Sequence, residues 1–260
     1  RGKLIKTGAK LKVVAPAYPR LSNHNDFDPL RFHPEVDFTV VGAHDALPPC
    51  DLIVLGGSKA VQADLDWLRS LGWEEAIRRH LRYGGKLIGI CGGLQMLGKQ
   101  LNDPLGLEGA PGSQPGLGLL DYETTLAPEK HLENVSGTLT LNGTLSAPPP
   151  LRGYRIHMGV THGPALARPA TCLEGLPEGA LSADGQVLAT YCHGLFDSPD
   201  ALNALIAWAG YTPAFRFDPA ERRERDLDRL ADAVEQHLDL PRLAECIPAF
   251  ALPARIADAK

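Results

Sequence analysis

The stretch Lys86-Leu-Ile-Gly-Ile-Cys91-Gly-Gly-Leu-Gln95-Met-Leu-Gly98 constrains this chain more than any other. It reads as an apolar strand, Lys86 to Ile90, that ends in a Gly-x-Cys-x-Gly turn, with a helix beginning at once after the cysteine. That pattern is a nucleophile elbow with sulfur in place of oxygen. A residue in such an elbow holds a strained backbone conformation, and side chains at 89, 92 and 93 would strike the crossing strand and helix, so glycine is needed there. The turn is expected to push the Cys91 thiol into the open. The helix that follows points its free N–H groups and positive dipole end at the sulfur, which suits the anionic form that attacks a carbonyl carbon. A small buried cysteine at a tight turn is the other reading of the same residue, and the flanking glycines favour the elbow.

An elbow needs a parallel sheet beneath it, and the surrounding sequence supplies one. Leu11 to Ala17 predicts a first strand stopped by Pro16 and Pro19, Val36 to Gly42 a second, and Cys50-Asp-Leu-Ile-Val-Leu-Gly56-Gly57 a third. Lys86 to Ile90 is the fourth. Between the last two, Ser58 to Tyr83 predicts a helical region anchored by Leu65, Leu68, Ile77 and Leu81, closed by Gly84 and Gly85. Strand, helix and strand in this order imply right-handed crossovers and a mostly parallel α/β sheet flanked by helices. The polar loop Ser22-Asn23-His24-Asn25-Asp26 then follows the carboxyl end of the first strand, where open α/β sheets bind ligands, although such residues also make an ordinary solvated turn.

The second half changes character. Asp103 to Leu120 is rich in Gly and Pro and reads as a long ordered loop leading to a smaller antiparallel layer, to which Thr138 to Leu141 would contribute a strand. Ala147 to Leu151 is a rigid connector. Gly153-Tyr-Arg-Ile-His157-Met-Gly159 reads as a strand with Tyr154, Ile156 and Met158 on one face and Arg155 and His157 on the other. Gln186 to Asp197 reads as a strand that points Thr190 and Cys192 one way and Tyr191 and His193 the other, leaving Cys192 in the core and His193 as an exposed imidazole. Helices are expected at Pro199 to Gly210 and at Glu221 to Leu238. The latter carries Leu227, Leu230, Ala231, Val234 and Leu238 at helical spacing among charges taken as solvated, and Pro248 to Lys260 is expected to be a mobile tail.

Composition removes several classes of function. With a formal net charge of -5, the chain has no global basic field to recruit nucleic acid or an anionic membrane. No apolar run approaches the ~20 residues of a membrane span. Five cysteines form no C-x-x-C pair, which argues against a disulfide framework and against a zinc site and fits a reducing cytoplasm.

Cys91 needs a base. Among nine histidines only His193 sits at a strand end, followed by glycine, late in the α/β pattern, and Cys with His is the thiol version of a nucleophile and base pair. Backbone N–H groups of Gly57 and Gly92, at the ends of two neighbouring strands, would make an oxyanion hole for a tetrahedral intermediate. Gln95, one turn into the helix after the cysteine, could hold a polar group of a substrate. His157 would be the next candidate base.

Taken together these residues resemble a known family. Gly-Ile-Cys91-Gly-Gly-Leu-Gln95 with a late His193 is similar to the class I, or triad, glutamine amidotransferases, whose flavodoxin-like fold uses the cysteine to hydrolyse glutamine and passes the ammonia to a synthetase. Ser22-Asn-His-Asn-Asp-Phe-Asp-Pro-Leu30, Gly56-Gly-Ser-Lys59, Gly153-Tyr-Arg-Ile-His-Met-Gly159 and Thr190-Tyr-Cys-His-Gly-Leu-Phe-Asp197, in this order, resemble the glutaminase half of the cobyric acid synthases. The resemblance implies glutamine as substrate and amidation of peripheral carboxylates of adenosylcobyrinic acid a,c-diamide through a synthetase half. It also brings Tyr154 and His157 forward as substrate-binding candidates. No cofactor is expected in this chain; ATP and Mg belong to the synthetase half, and no G-x-x-x-x-G-K-[ST] loop occurs here.

The sequence departs from the wider class at Leu195, where many members carry a glutamate two residues after the histidine. The orienting group for His193 is therefore open, with Asp197 or a backbone carbonyl as candidates. A histidine without a carboxylate partner would leave Cys91 poorly activated in this chain alone. On the same resemblance residues 1–10 are expected to be a linker from a synthetase domain, 11–240 the glutamine amidotransferase domain, and 241–260 a tail. A thiol hydrolase of another amide or ester and a noncatalytic partner domain are the competing readings.

Overall fold

The computed structural model describes residues 11–45, 47–129, 131–141 and 147–239, together with 242, 243 and 246. The expected linker at 1–10, and the expected tail apart from those three residues, lie outside the described residues. The chain divides into two compact units, Arg1–Phe217 and Asp218–Lys260, so the expected domain at 11–240 spans the boundary between them.

The first unit is built on a six-stranded sheet in the order Ala180–Leu181, Val187–Thr190, Lys86–Ile90, Leu52–Leu55, Leu11–Pro16 and Val36–Val41. All neighbours pair in parallel except Ala180–Leu181, which runs antiparallel at one edge. The five parallel strands follow the doubly wound order 2-1-3-4-5 in which the crossover direction reverses beside the first strand, as the flavodoxin-like expectation required. Central strands of such sheets are covered on both faces, which is why Leu52–Leu55 and Val187–Thr190 read as unbroken apolar or small runs and are buried throughout.

Leu65, Leu68 and Ile77 bury fully, and Leu81 packs on the core partly exposed, as their spacing predicts. The region from 58 to 83 is two helices, Val61–Ser70 and Trp73–Arg82, because Gly72 takes a left-handed φ of 75° and turns the chain between them. Fully burying a leucine or isoleucine is worth about 1.5–3 kcal/mol, so these few positions are enough to hold the helices on the sheet.

The antiparallel layer is a five-stranded sheet in the order Leu176–Glu178, Thr171–Leu173, His131–Leu139, Pro150–His157 and Cys192–His193. A further sheet joins Val160–His162, Glu123–Thr125, Gln100–Asp103 and Gly112–Pro115, so the Gly- and Pro-rich stretch expected to be only loop contains a strand. The expected single strand from 186 to 197 is also two. Val187–Thr190 lies in the parallel sheet, the chain bends at Tyr191, and Cys192–His193 continues in the antiparallel one.

In the second unit Asp218 caps the helix Pro219–His237 by accepting from the N–H groups of Ala220 and Glu221. Its apolar positions Leu227, Leu230 and Leu238 are more than half exposed along with the charges between them. Among the described residues no helix is long and apolar enough to cross a membrane.

Candidate active site

Lys86–Ile90 delivers Cys91 at φ 53° and ψ -107°, a conformation costly for any residue with a side chain, at about 1–3 kcal/mol. Neighbouring contacts hold it there. The Cys91 N–H donates to the Thr190 carbonyl at 2.9 Å, the Gly93 N–H to the Gly56 carbonyl at 3.0 Å, and the Gln95 N–H back to the Cys91 carbonyl at 3.1 Å. The helix Gly92–Leu97 sits so close to its neighbours that a Cβ at Gly93 would lie 2.2 Å from the Leu55 carbonyl oxygen and one at Gly92 2.6 Å from the Ser58 nitrogen. The elbow is therefore as the sequence predicts. The exposed thiol is not: Cys91 is only 9% accessible, and its S–H donates to the Ile156 carbonyl at 3.4 Å, because the strand Pro150–His157 passes over it.

His193 reaches the site from the antiparallel sheet, where it pairs with Tyr154. It too is fully buried rather than exposed, since the bend at Tyr191 turns it under that strand. Its Nδ1–H donates to Asp26 Oδ2 at 2.7 Å, and the neighbouring Gly194 N–H donates to Asp26 Oδ1 at 3.1 Å. Asp26, 3% accessible, is thus the carboxylate that orients the imidazole, and Asp197, the candidate proposed from the sequence, is not. Asp197 instead closes the turn after the histidine through its own N–H, which donates to the Gly194 carbonyl. Leu195, at the position where a glutamate is common, is buried in the core. The expectation of a histidine lacking a carboxylate is overturned: the acid comes from the short helix His24–Phe27, in the polar loop after the first strand.

Burial alone would lower the pKa of His193. The hydrogen bond it donates to Asp26 and the nearby Cys91 sulfur outweigh this and push the imidazole up to about 9. Its Nε2 is buried and has no hydrogen-bond partner among the described residues. A sulfur nucleophile and an oriented imidazole, with a ring nitrogen left for proton transfer, are the elements of thiol acyl transfer.

The remaining candidates gather around this pair. A Cβ on Gly57 would lie 3.5 Å from His193 Cε1, and Gly57 pairs with Ser22 in a short antiparallel ladder formed by Leu21–Ser22 and Gly57–Ser58. Gly57 and Gly92 therefore come together beside Cys91, through Ser58. Tyr154 stacks on the His193 ring at 5.0 Å between centroids, and its hydroxyl accepts from Asn23 at 2.8 Å. His157 stacks on Tyr191 at 4.0 Å rather than approaching as a base, with its Nδ1 3.1 Å from the Gly159 carbonyl. Gln95 is buried, and its amide donates to the Tyr191 hydroxyl at 3.3 Å, which also shares a hydrogen bond with Thr161 at 2.7 Å.

Two residues had no place in the sequence reading of the site. Tyr191 links Gln95, His157 and Thr161. Glu178 holds the bend on which His193 depends: it accepts from the hydroxyls of Thr171 and Thr190, both at 2.6 Å, and from the Tyr191 N–H at 2.7 Å. Tyr191 lies within the Thr190–Asp197 motif but was given no role there, Glu178 lies in none of the motifs, and only the fold brings their partners near.

Comparison with known proteins agrees with this geometry. In overall fold the chain is similar to two solved structures. One is described as PurLQS from Thermotoga maritima (TM-score 0.53, 16% identity, covering 77% of this chain and 92% of that one). The other is described as a glutamine amidotransferase (TM-score 0.54, 18% identity, covering 76% and 99%). At such identities the likeness carries the fold alone. The family model for the CobB/CobQ-like glutamine amidotransferase domain matches residues 12–201, a span that contains the elbow cysteine, the buried histidine and the aspartate that holds it, and the chain belongs to that family.

Proposed function

We propose that this chain is the glutamine-hydrolysing part of a cobyric acid synthase. It would supply ammonia for ATP-dependent amidation of peripheral carboxylates of adenosylcobyrinic acid a,c-diamide, with ATP and Mg held by a synthetase half. The observation that carries the glutaminase chemistry is the Asp26–His193 hydrogen bond beside Cys91 at its strained elbow. The acceptor is supported by the four motifs from Ser22 to Asp197, which resemble that group in order and content.

In this reading the Cys91 thiol passes its proton to His193, the thiolate attacks the side-chain carboxamide carbon of glutamine, and the carbonyl oxygen becomes an oxyanion facing the N–H groups of Gly57 and Gly92. His193 gives a proton to the departing nitrogen, which leaves as ammonia, and a thioester to Cys91 remains. Water then attacks the thioester carbon with His193 taking its proton, and glutamate leaves as the thiolate is restored. Asp26 keeps the Nδ1–H of His193 fixed, so that Nε2 serves both transfers.

The test separates making ammonia from using it. Cys91→Ser in the complete enzyme is expected to abolish glutamine-dependent amidation of the corrinoid while leaving amidation from added ammonium salt largely intact. Equal loss with both nitrogen donors would overturn the assignment. Release of ammonia from other amides but not from glutamine would instead favour a different thiol hydrolase.

A further inference from the structure

The Gly57–Ser58 strand carries one of the two proposed oxyanion donors, yet it is two residues long and among the described residues pairs only with the equally short Leu21–Ser22. Such a ladder has little stability of its own. Something else must fix it to within the fraction of an ångström that a preorganised donor requires.

Asp64, in the first turn of the helix Val61–Ser70, reaches one strand at Ser58 and the residue that leads into the other at Arg20. It is 1% accessible, and its Oδ2 accepts from the Ser58 hydroxyl at 2.5 Å while its Oδ1 accepts from the Arg20 N–H at 3.0 Å. Ser58 Oγ in turn accepts from the Ala60 N–H at 3.0 Å, and the Lys59 N–H donates to the Arg20 carbonyl at 3.0 Å. An acidic residue in the first turn commonly serves its own helix. Here that duty falls to Glu108, whose carboxylate accepts from the Val61 N–H at 2.6 Å, and both Asp64 oxygens point outward to the strands. A buried carboxylate is costly unless its hydrogen bonds are made, and those of Asp64 are made to the segments that flank Gly57.

We propose that Asp64, acting through Ser58, is a positioning residue that locks the Gly57–Ser58 strand in the register needed for oxyanion stabilisation. The proposal rests on the glutaminase reading above. The lock also bears on Gly92, whose closest approach is to the Ser58 backbone, so one carboxylate sets the spacing of both donors.

The experiment compares wild type, Ser58→Ala, Asp64→Asn and the double variant in the complete enzyme by two measurements. One is glutamine turnover. The other is the rate at which iodoacetamide alkylates Cys91, followed by mass spectrometry of the Cys91 peptide, because that substitution reaction develops no oxyanion. Loss of donor placement is expected to lower kcat by about 10- to 100-fold with a smaller change in KM, leave alkylation within about 2-fold, and make the double variant no worse than Asp64→Asn. Ser58→Ala matters most, since Ser58 is partly exposed and its loss removes the link without emptying a buried site. Turnover by Ser58→Ala within about 2-fold of wild type would overturn the proposal, as would alkylation falling in step with turnover, which would mean that the elbow itself had collapsed. A wild-type enzyme with no glutamine turnover at all would overturn the glutaminase reading and this inference with it.

Discussion

At the scale of single residues the site turns on Asp26 and His193, two groups 167 positions apart in the chain. The histidine was legible, because a strand end followed by glycine is a local signal. Its partner was not. The missing glutamate at 195 pointed to an unpartnered imidazole, whereas the acid arrives from the loop after the first strand and meets the histidine where Cys192–His193 has joined the antiparallel sheet. Asp26→Asn is expected to lower glutamine turnover by about 10²- to 10⁴-fold, because the imidazole would lose its fixed tautomer. The same pair makes stability depend on pH. The folded-state pKa of His193 lies at about 9, above the ordinary 6.5, so the stabilisation is fully present below 6.5 and is lost as pH rises through 9. The loss is on the order of 3 kcal/mol, from the relation between a pKa shift and free energy. Urea denaturation at pH 6.5 and pH 9.5 measures it, and Asp26→Asn is expected to shrink the difference to the part that Cys91 contributes. An unchanged pH dependence in that variant would place the titrating group elsewhere.

At the scale of elements, periodicity and glycine placement were enough for the elbow strand, the first two strands and the helix anchors. They failed where one stretch serves two sheets. The run from 186 to 197 has the alternation of a continuous strand, and nothing local reports that it leaves the parallel sheet at Thr190 and enters the antiparallel one at Cys192. The bend is possible because Glu178, itself at the end of an edge strand, collects two threonine hydroxyls and the Tyr191 N–H. The same bend buries His193, and the crossing strand over it covers Cys91, so the two exposure expectations failed for one reason. Glu178→Ala would leave the Thr190 hydroxyl and the Tyr191 N–H unpaired in the interior and the Thr171 hydroxyl with only its 3.4 Å bond to the backbone carbonyl at 178, and its expected cost is about 2–5 kcal/mol. Because His193 is two residues beyond the bend, glutamine turnover at a temperature where the variant remains folded is expected to fall as well. A variant that loses stability but keeps full turnover would show that the bend is structural and that His193 is positioned by Asp26 alone.

At the scale of the whole molecule, the family and with it the flavodoxin-like fold could be read from the order of the motifs, of which the polar loop at Ser22, Gly56-Gly57 and Cys91 follow the carboxyl ends of parallel strands while Gly153–Gly159 belongs to the antiparallel layer. What could not be read is that this edge is closed. The Cys91 thiol is tied to the Ile156 carbonyl, Tyr154 lies on His193, and His157 lies on Tyr191, so the segment from Tyr154 to His157 covers both reacting groups. With 9% of Cys91 accessible, approach of glutamine to the sulfur is expected to require that segment to shift. The chain alone is therefore expected to hydrolyse glutamine slowly, for a reason different from the one the sequence suggested: the imidazole has its carboxylate, and access to the thiol is what is lacking. If the proposed function holds, docking of a synthetase half with its own substrates is expected to favour the open arrangement and so to tie ammonia release to ammonia use, within the limits of the partner's preference for one state over the other. The measurement is glutamine turnover of this chain by itself, then with the synthetase half, then with that half and its substrates, each paired with the alkylation rate of Cys91. Turnover and alkylation rising together on docking are the expected result. If the chain by itself already matches the complete system in both, the cover over Cys91 opens freely and imposes no coupling.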